Sequence, residues 1–116
     1  MTQTIVPPLS HDICRRAIST WGNANQMNVV VEECSEMIKA IMKYNRHSKT
    51  EQWRLHCVEE AADVSIMLEQ LILMLSSDEE FQKVRKYKLN RLKQMLESQM
   101  PKQTCEGSKD EDIELL

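Results

Sequence analysis

The chain has 116 residues, enough for one hydrophobic core but not for two. Its formal net charge of -3 excludes the broad basic field that recruits nucleic acid or anionic membrane. With only two glycines, three prolines and one phenylalanine beside eight methionines, it favours helix and lacks the β-branched and aromatic runs of strands.

Cys14, Cys34, Cys57 and Cys105 fall at irregular spacings with no C-x-x-C pair, so neither a disulfide framework nor a zinc site is expected. Cys34 and Cys57, inside expected helices, read as small buried thiols in a reducing cytoplasm. The most apolar stretch, 65–75, contains Glu69 and Gln70 and is too short for a membrane span; no secretory signal pattern opens the chain. A cytoplasmic, all-α protein is expected.

Residues 1–9, with Pro7-Pro8, read as an extended lead into a helical domain over 10–98. Ser10 is the expected N-cap of a first helix over 10–21 that ends at Gly22, with Ile13, Ala17, Ile18 and Trp21 on one stripe. A second helix, 24–45, carries Met27, Val30, Val31, Cys34, Ile38, Ile41 and Met42 at intervals of three and four, as one buried face requires. The polar run 45–49 is the loop. Thr50 or a neighbour then caps a third helix, 50–75, which is apolar on more than one face past residue 60 and so expects burial on several sides.

Ser77 before Asp78-Glu79-Glu80 reads as a capping-box start, with acids at the positive end of the helix dipole. The fourth helix, 78–98, presents Phe81, Val84, Leu92, Met95 and Leu96 among lysines and arginines, and Pro101 stops it. The acidic tail 99–116 has no period and is expected to be disordered.

Chemistry concentrates in two acidic clusters, Glu32-Glu33-x-x-Glu36 and Glu59-Glu60-x-x-Asp63, on successive helices. Positions i, i+3 and i+4 share one side of a helix, so each cluster converges. Like charges so placed repel by a few tenths of a kcal/mol per pair in water. A hairpin turning near 46–50 would add the repulsion between clusters. A hard divalent cation relieves it, and oxygen-only ligands suit Mg²⁺ or Mn²⁺. Two solvated acidic faces are the plainer alternative. Di-iron bundles pair Glu with His at i+3; here the motifs end in Glu36 and Asp63, and His56 stands on the wrong side of Glu60, where it reads as solvent-facing.

The pairing of EExxE with ExxD resembles the MazG-like all-α nucleoside triphosphate pyrophosphohydrolases, a superfamily that includes the dimeric dUTPases. The resemblance runs over residues 15–97 and is carried by the helix 26–41 and by Glu59-Glu60-Ala61-Ala62-Asp63-Val64. It implies an antiparallel four-helix bundle completed by a homodimer or homotetramer. It also implies Mg²⁺ (or Mn²⁺) held by Glu33, Glu36, Glu60 and Asp63, with Glu32 as a supporting ligand or orienting the attacking water. The implied reaction cleaves a (d)NTP between the α and β phosphates, releasing a monophosphate and pyrophosphate, in house-cleaning or pool control.

Lys86, Asn90 and Arg91, with Lys88 beside them, resemble the basic stretch that meets the triphosphate in relatives. Trp21, Asn25 and Gln26 are placed to face a base by stacking and amide hydrogen bonds, and Trp53 shares the option of base or core. The alternative is a catalytically silent helical module that binds nucleotide or dimerises; a plain structural bundle is the third reading. Neither nucleic acid nor membrane is an expected partner.

Overall fold

A computed structural model describes residues 9–98, and among them every regular element is an α-helix. They are α1 (Leu9–Trp21), α2 (Asn23–Arg46), α3 (Glu51–Leu75) and α4 (Asp78–Glu97). Of the expected lead 1–9, residues 1–8 lie outside the described residues, as do Pro101, Cys105 and the acidic tail, while Leu9 already belongs to α1. The first three helices form one unit and α4 belongs to a second.

Within the first unit, α2 and α3 make the main interface, and α1 packs on both, chiefly on α3. On α2 the covered side chains include Gln26, Val30, Glu33, Met37, Ala40 and Tyr44; on α3 they include Trp53, Cys57, Glu60, Val64, Met67, Leu71 and Met74. Spacings alternate between three and four on both helices, as a seam between two long helices demands. Lys43 lies over the Trp53 ring near one end, and Gln26 meets Gln70 near the other, so the pair is antiparallel.

This seam keeps Val30 of the apolar face read from sequence, with Met27 and Cys34 half-buried, and departs from that face elsewhere. Val31 and Ile38 are 67% and 59% exposed, and Ile41 and Met42 are exposed as well. On α1 it is Cys14 that is buried, while Ile13 and Trp21 face outward. Helical periodicity identifies stripes but does not choose between two of them. Here the stripe that packs contains Gln26 and Glu33, so its neighbour looked more apolar. Helix α3 does meet two partners, yet Ile66 and Leu68 remain exposed.

Ser10 also lies inside α1 rather than capping it: its hydroxyl donates to Glu69 Oε2 at 3.0 Å, and His11 Nδ1 pairs with the same oxygen. Thr50 does hold the extended N-cap conformation of α3, without a side-chain cap bond. Cys14 Sγ approaches the Ile66 carbonyl at 3.8 Å. Burial, with the Glu69 charge, pushes this thiol above its usual range and keeps it protonated.

Both connections depend on positive φ. Gly22 adopts φ 91°, ψ 150°, a region essentially reserved for glycine, and its carbonyl accepts the Gln26 N–H at 3.0 Å to start α2. At the other end of α2 the Lys49 N–H reaches back to the Tyr44 carbonyl at 2.9 Å. That is the closing bond of a Schellman motif, with Ser48 (φ 61°) in the left-handed position that glycine usually fills.

In the second unit, α4 begins with Asp78, Glu79 and Glu80 in its first turn, as the dipole favours, and none of its side chains is buried.

Candidate metal centre

The α2–α3 register brings three carboxylates to one place. Glu33 from α2 and Glu60 and Asp63 from α3 each offer an oxygen, and the three oxygens lie within 4.8 Å of one another. Glu33 and Glu60 occupy seam positions that would otherwise hold apolar side chains. Asp63 lies at the exposed rim beside them.

The electrostatics follow from that placement. Burial raises the Glu33 carboxyl above its ordinary value, and the charges of Asp63, Glu60, Glu36 and Glu32 push it further in the same direction. The Glu60 side chain is only 14% exposed, and its Oε1 is buried with no hydrogen-bond partner. A buried carboxylate oxygen without a donor is costly. A divalent cation between the helices is one group that would satisfy it. The donor set is all oxygen, which fits Mg²⁺ or Mn²⁺ and not a thiolate- or imidazole-seeking metal.

Of the four ligands implied by the motif, three converge. Glu36 is exposed and outside the triad, though its charge still bears on Glu33. Glu32 is exposed beside Glu33, and its carbonyl accepts the Ser35 hydroxyl at 2.8 Å.

The base-facing candidates separate. Trp21 is 62% exposed at the end of α1. Gln26 is 4% exposed; its Nε2 donates to Gln70 Oε1 at 2.8 Å and its Oε1 accepts from Asn25. In this structure the Gln26 amide is therefore committed to the interface rather than presented to a ligand. Lys86 and Asn90 are exposed on α4 and Arg91 is half-buried, all in the second unit.

Sequence reasoning gave His56 no part. Its side chain is 42% exposed, with Nε2 3.7 Å from Glu60 Oε2 and Nδ1 3.6 Å from Glu59 Oε1. The signal was its i, i+4 spacing from Glu60. Trp53 lies edge-on to it, and a cavity of about 320 Å³ lined by Gln52, Trp53, Leu55, His56 and Glu59 opens on this stretch of α3. A second cavity, about 550 Å³, lies towards the other end of α3 against the Gly22 corner. No helix among the described residues is long and apolar enough to cross a membrane.

Compared with protein-family models, with curated proteins and with solved structures, the chain matches none.

Proposed function

We propose that this chain is a Mg²⁺-dependent nucleotide pyrophosphohydrolase of the MazG-like kind, converting a (d)NTP to a (d)NMP and pyrophosphate. The observation that carries the reading is the convergence of Glu33, Glu60 and Asp63 from two helices, with Oε1 of Glu60 buried and without a hydrogen-bond partner. A protein with no ligand for this place would accumulate repulsion and an unsatisfied oxygen at the centre of its longest interface.

In this reading Glu33, Glu60 and Asp63 hold the cation, and Glu36 reaches it from the exposed side once a ligand draws the cluster together. When bound, Mg²⁺ supplies Lewis-acid polarisation of the phosphoryl group and offsets the negative charge that builds in line. Glu32, beside Glu33, orients the attacking water by accepting its proton-bearing edge. Lys86, Asn90 and Arg91 are assigned to the triphosphate, and Trp21 to the base by stacking. His56, which lines the cavity beside Trp53, lies 3.7 Å from Glu60 Oε2, and we assign that cavity to the part of a ligand that extends from the triad.

The working form is a homodimer or homotetramer of four-helix bundles in the cytoplasm. The exposed Val31, Ile38, Leu55 and Val58 support this reading, because soluble chains seldom leave so many large apolar side chains uncovered on adjacent helices.

Incubation with a panel of NTPs and dNTPs in Mg²⁺, with monophosphate and pyrophosphate both quantified, tests the proposal. Turnover of at least one nucleotide to these products is expected. Mg²⁺-dependent nucleotide binding without product would instead make the chain a silent nucleotide-binding module.

A further inference from the structure

We propose that the acidic segment 110–116 of this chain docks along an exposed face of α4 that combines leucines with lysine and arginine. The docking does not depend on the proposed reaction. It does place the segment over Lys86, which that reaction assigns to the triphosphate.

Charge is segregated along this part of the chain. Between Phe81 and Leu96, α4 carries Lys83, Arg85, Lys86, Lys88, Arg91 and Lys93 and no acid, in a chain whose formal net charge is -3. The acids of α4 stand in its first turn and at Glu97. Of the five residues 110–114, which lie outside the described residues, four are acidic, and 110–116 contains no lysine or arginine.

Helical spacing sorts the α4 side chains into faces. Arg85, Leu89, Leu92 and Leu96, at i, i+4, i+7 and i+11, form one stripe, and Lys86 and Lys93 flank it on one side. All six are exposed. Lys93 approaches Glu97 at 3.9 Å, a solvated pair of the kind that holds a side chain only weakly. The face therefore offers apolar surface bordered by cations. The segment 110–116 offers the complement, with Ile113, Leu115 and Leu116 set among carboxylates.

An isolated surface ion pair contributes little in water. The tether changes that, because a short flexible linker holds its two ends at an effective concentration on the order of millimolar. A free acidic partner has no such advantage. Reach is ample: Leu89 lies about 14 Å back along the helix from Ser98 at 1.5 Å per residue, and the chain from Ser98 to Asp110 can extend over roughly 40 Å.

Carbodiimide coupling of the full chain joins a lysine amine to a carboxylate in contact with it, and peptide mass spectrometry then locates the links. An equal mixture of ¹⁵N-labelled and unlabelled protein separates links within one chain from links between chains. Links from the acids of 110–114 to Lys86 and Lys93 are expected within single chains, in excess of links to Lys83 on the opposite side of the helix. They should fall to the Lys83 level in the Leu89→Ala/Leu92→Ala variant, which keeps helix propensity, and in about 1 M salt, where screening acts within about 3 Å. Equal linking of Lys83, Lys86 and Lys93, or yields unchanged in the double variant, would report tethered collision without docking and overturn the proposal. Links chiefly between labelled and unlabelled chains would give the face to a second copy's segment and overturn it as well.

Discussion

The Gln26 side chain donates to Gln70 across the α2–α3 interface at 2.8 Å, with both residues buried. The same antiparallel register that pairs them sets Lys43 over Trp53 and Glu33 against Asp63. A slip of one turn along either helix would leave two amides unpaired and separate the carboxylates. The buried polar pair thus specifies where the acidic site forms, the best-attested use of a polar residue in a helical seam.

Replacing one member should therefore cost more than replacing both. Gln70→Leu strands the Gln26 amide and should destabilise the fold by about 1–3 kcal/mol, whereas the Gln26→Leu/Gln70→Leu double variant should be nearly neutral or stabilising. Urea unfolding of the three variants, analysed as a double-mutant cycle, measures the difference. A double variant that loses the sum of the two single effects would show that the amides do not act as a pair.

The Glu33 carboxyl makes metal-free stability depend on pH. Its value in the folded chain is raised from 4.5, so the folded state holds a proton that the unfolded chain has released. Stability from this group is fully present below 4.5 and is lost as pH rises through the folded value. In EDTA the protein should melt at a lower temperature when pH is raised across that window. Glu33→Gln should flatten this part of the profile. An unchanged slope in Glu33→Gln would place the dependence elsewhere.

Ser48 holds a left-handed conformation at φ 61° in the Schellman turn between α2 and α3. Glycine adopts it without the Cβ penalty of roughly 1–2 kcal/mol. Ser48→Gly should raise the melting temperature by several degrees, since about 1 kcal/mol shifts a domain of this size by 4–8 °C. A lower melting temperature would mean that the serine makes a compensating contact.

Helix count and boundaries were legible in the sequence because length, caps and breakers act locally. Gly22 and the polar 45–49 run separate helices whose ends fall within a residue or two of expectation. The buried face of α2 was legible only in part: Val30 is buried and Met27 and Cys34 are half-buried, as expected. Val31, Ile38 and Ile41 form a stripe with the same period as the true seam, and only tertiary contact selects between them. The acidic motifs were visible as spacing, yet Glu36 and Asp63 looked equivalent until packing put one outside the triad and the other within it. The edge-on contact of Trp53 with His56 was not visible in the spacing of the motifs. Gln26 looked like a base reader because its partner, Gln70, lies a whole helix away in sequence.

The split between Glu36 and the triad predicts unequal losses. Asp63→Asn and Glu60→Gln remove oxygens that already converge and should abolish turnover. Glu36→Gln should retain measurable activity at raised Mg²⁺. Both Asp63→Asn and Glu60→Gln should melt at or above wild type in EDTA, because each relieves like-charge repulsion. Equal activity loss in all three at saturating Mg²⁺ would give Glu36 the same standing as the triad.

The central claim is that the convergent carboxylates serve metal-dependent cleavage between the α and β phosphates. Its most direct test is pyrophosphate release from the responsive nucleotide by wild type and Asp63→Asn, each with Mg²⁺ and with EDTA. The account predicts release by wild type in Mg²⁺ alone, with matching monophosphate. Release that persists in EDTA or in Asp63→Asn, or no release from any nucleotide by folded oligomeric protein, would contradict it.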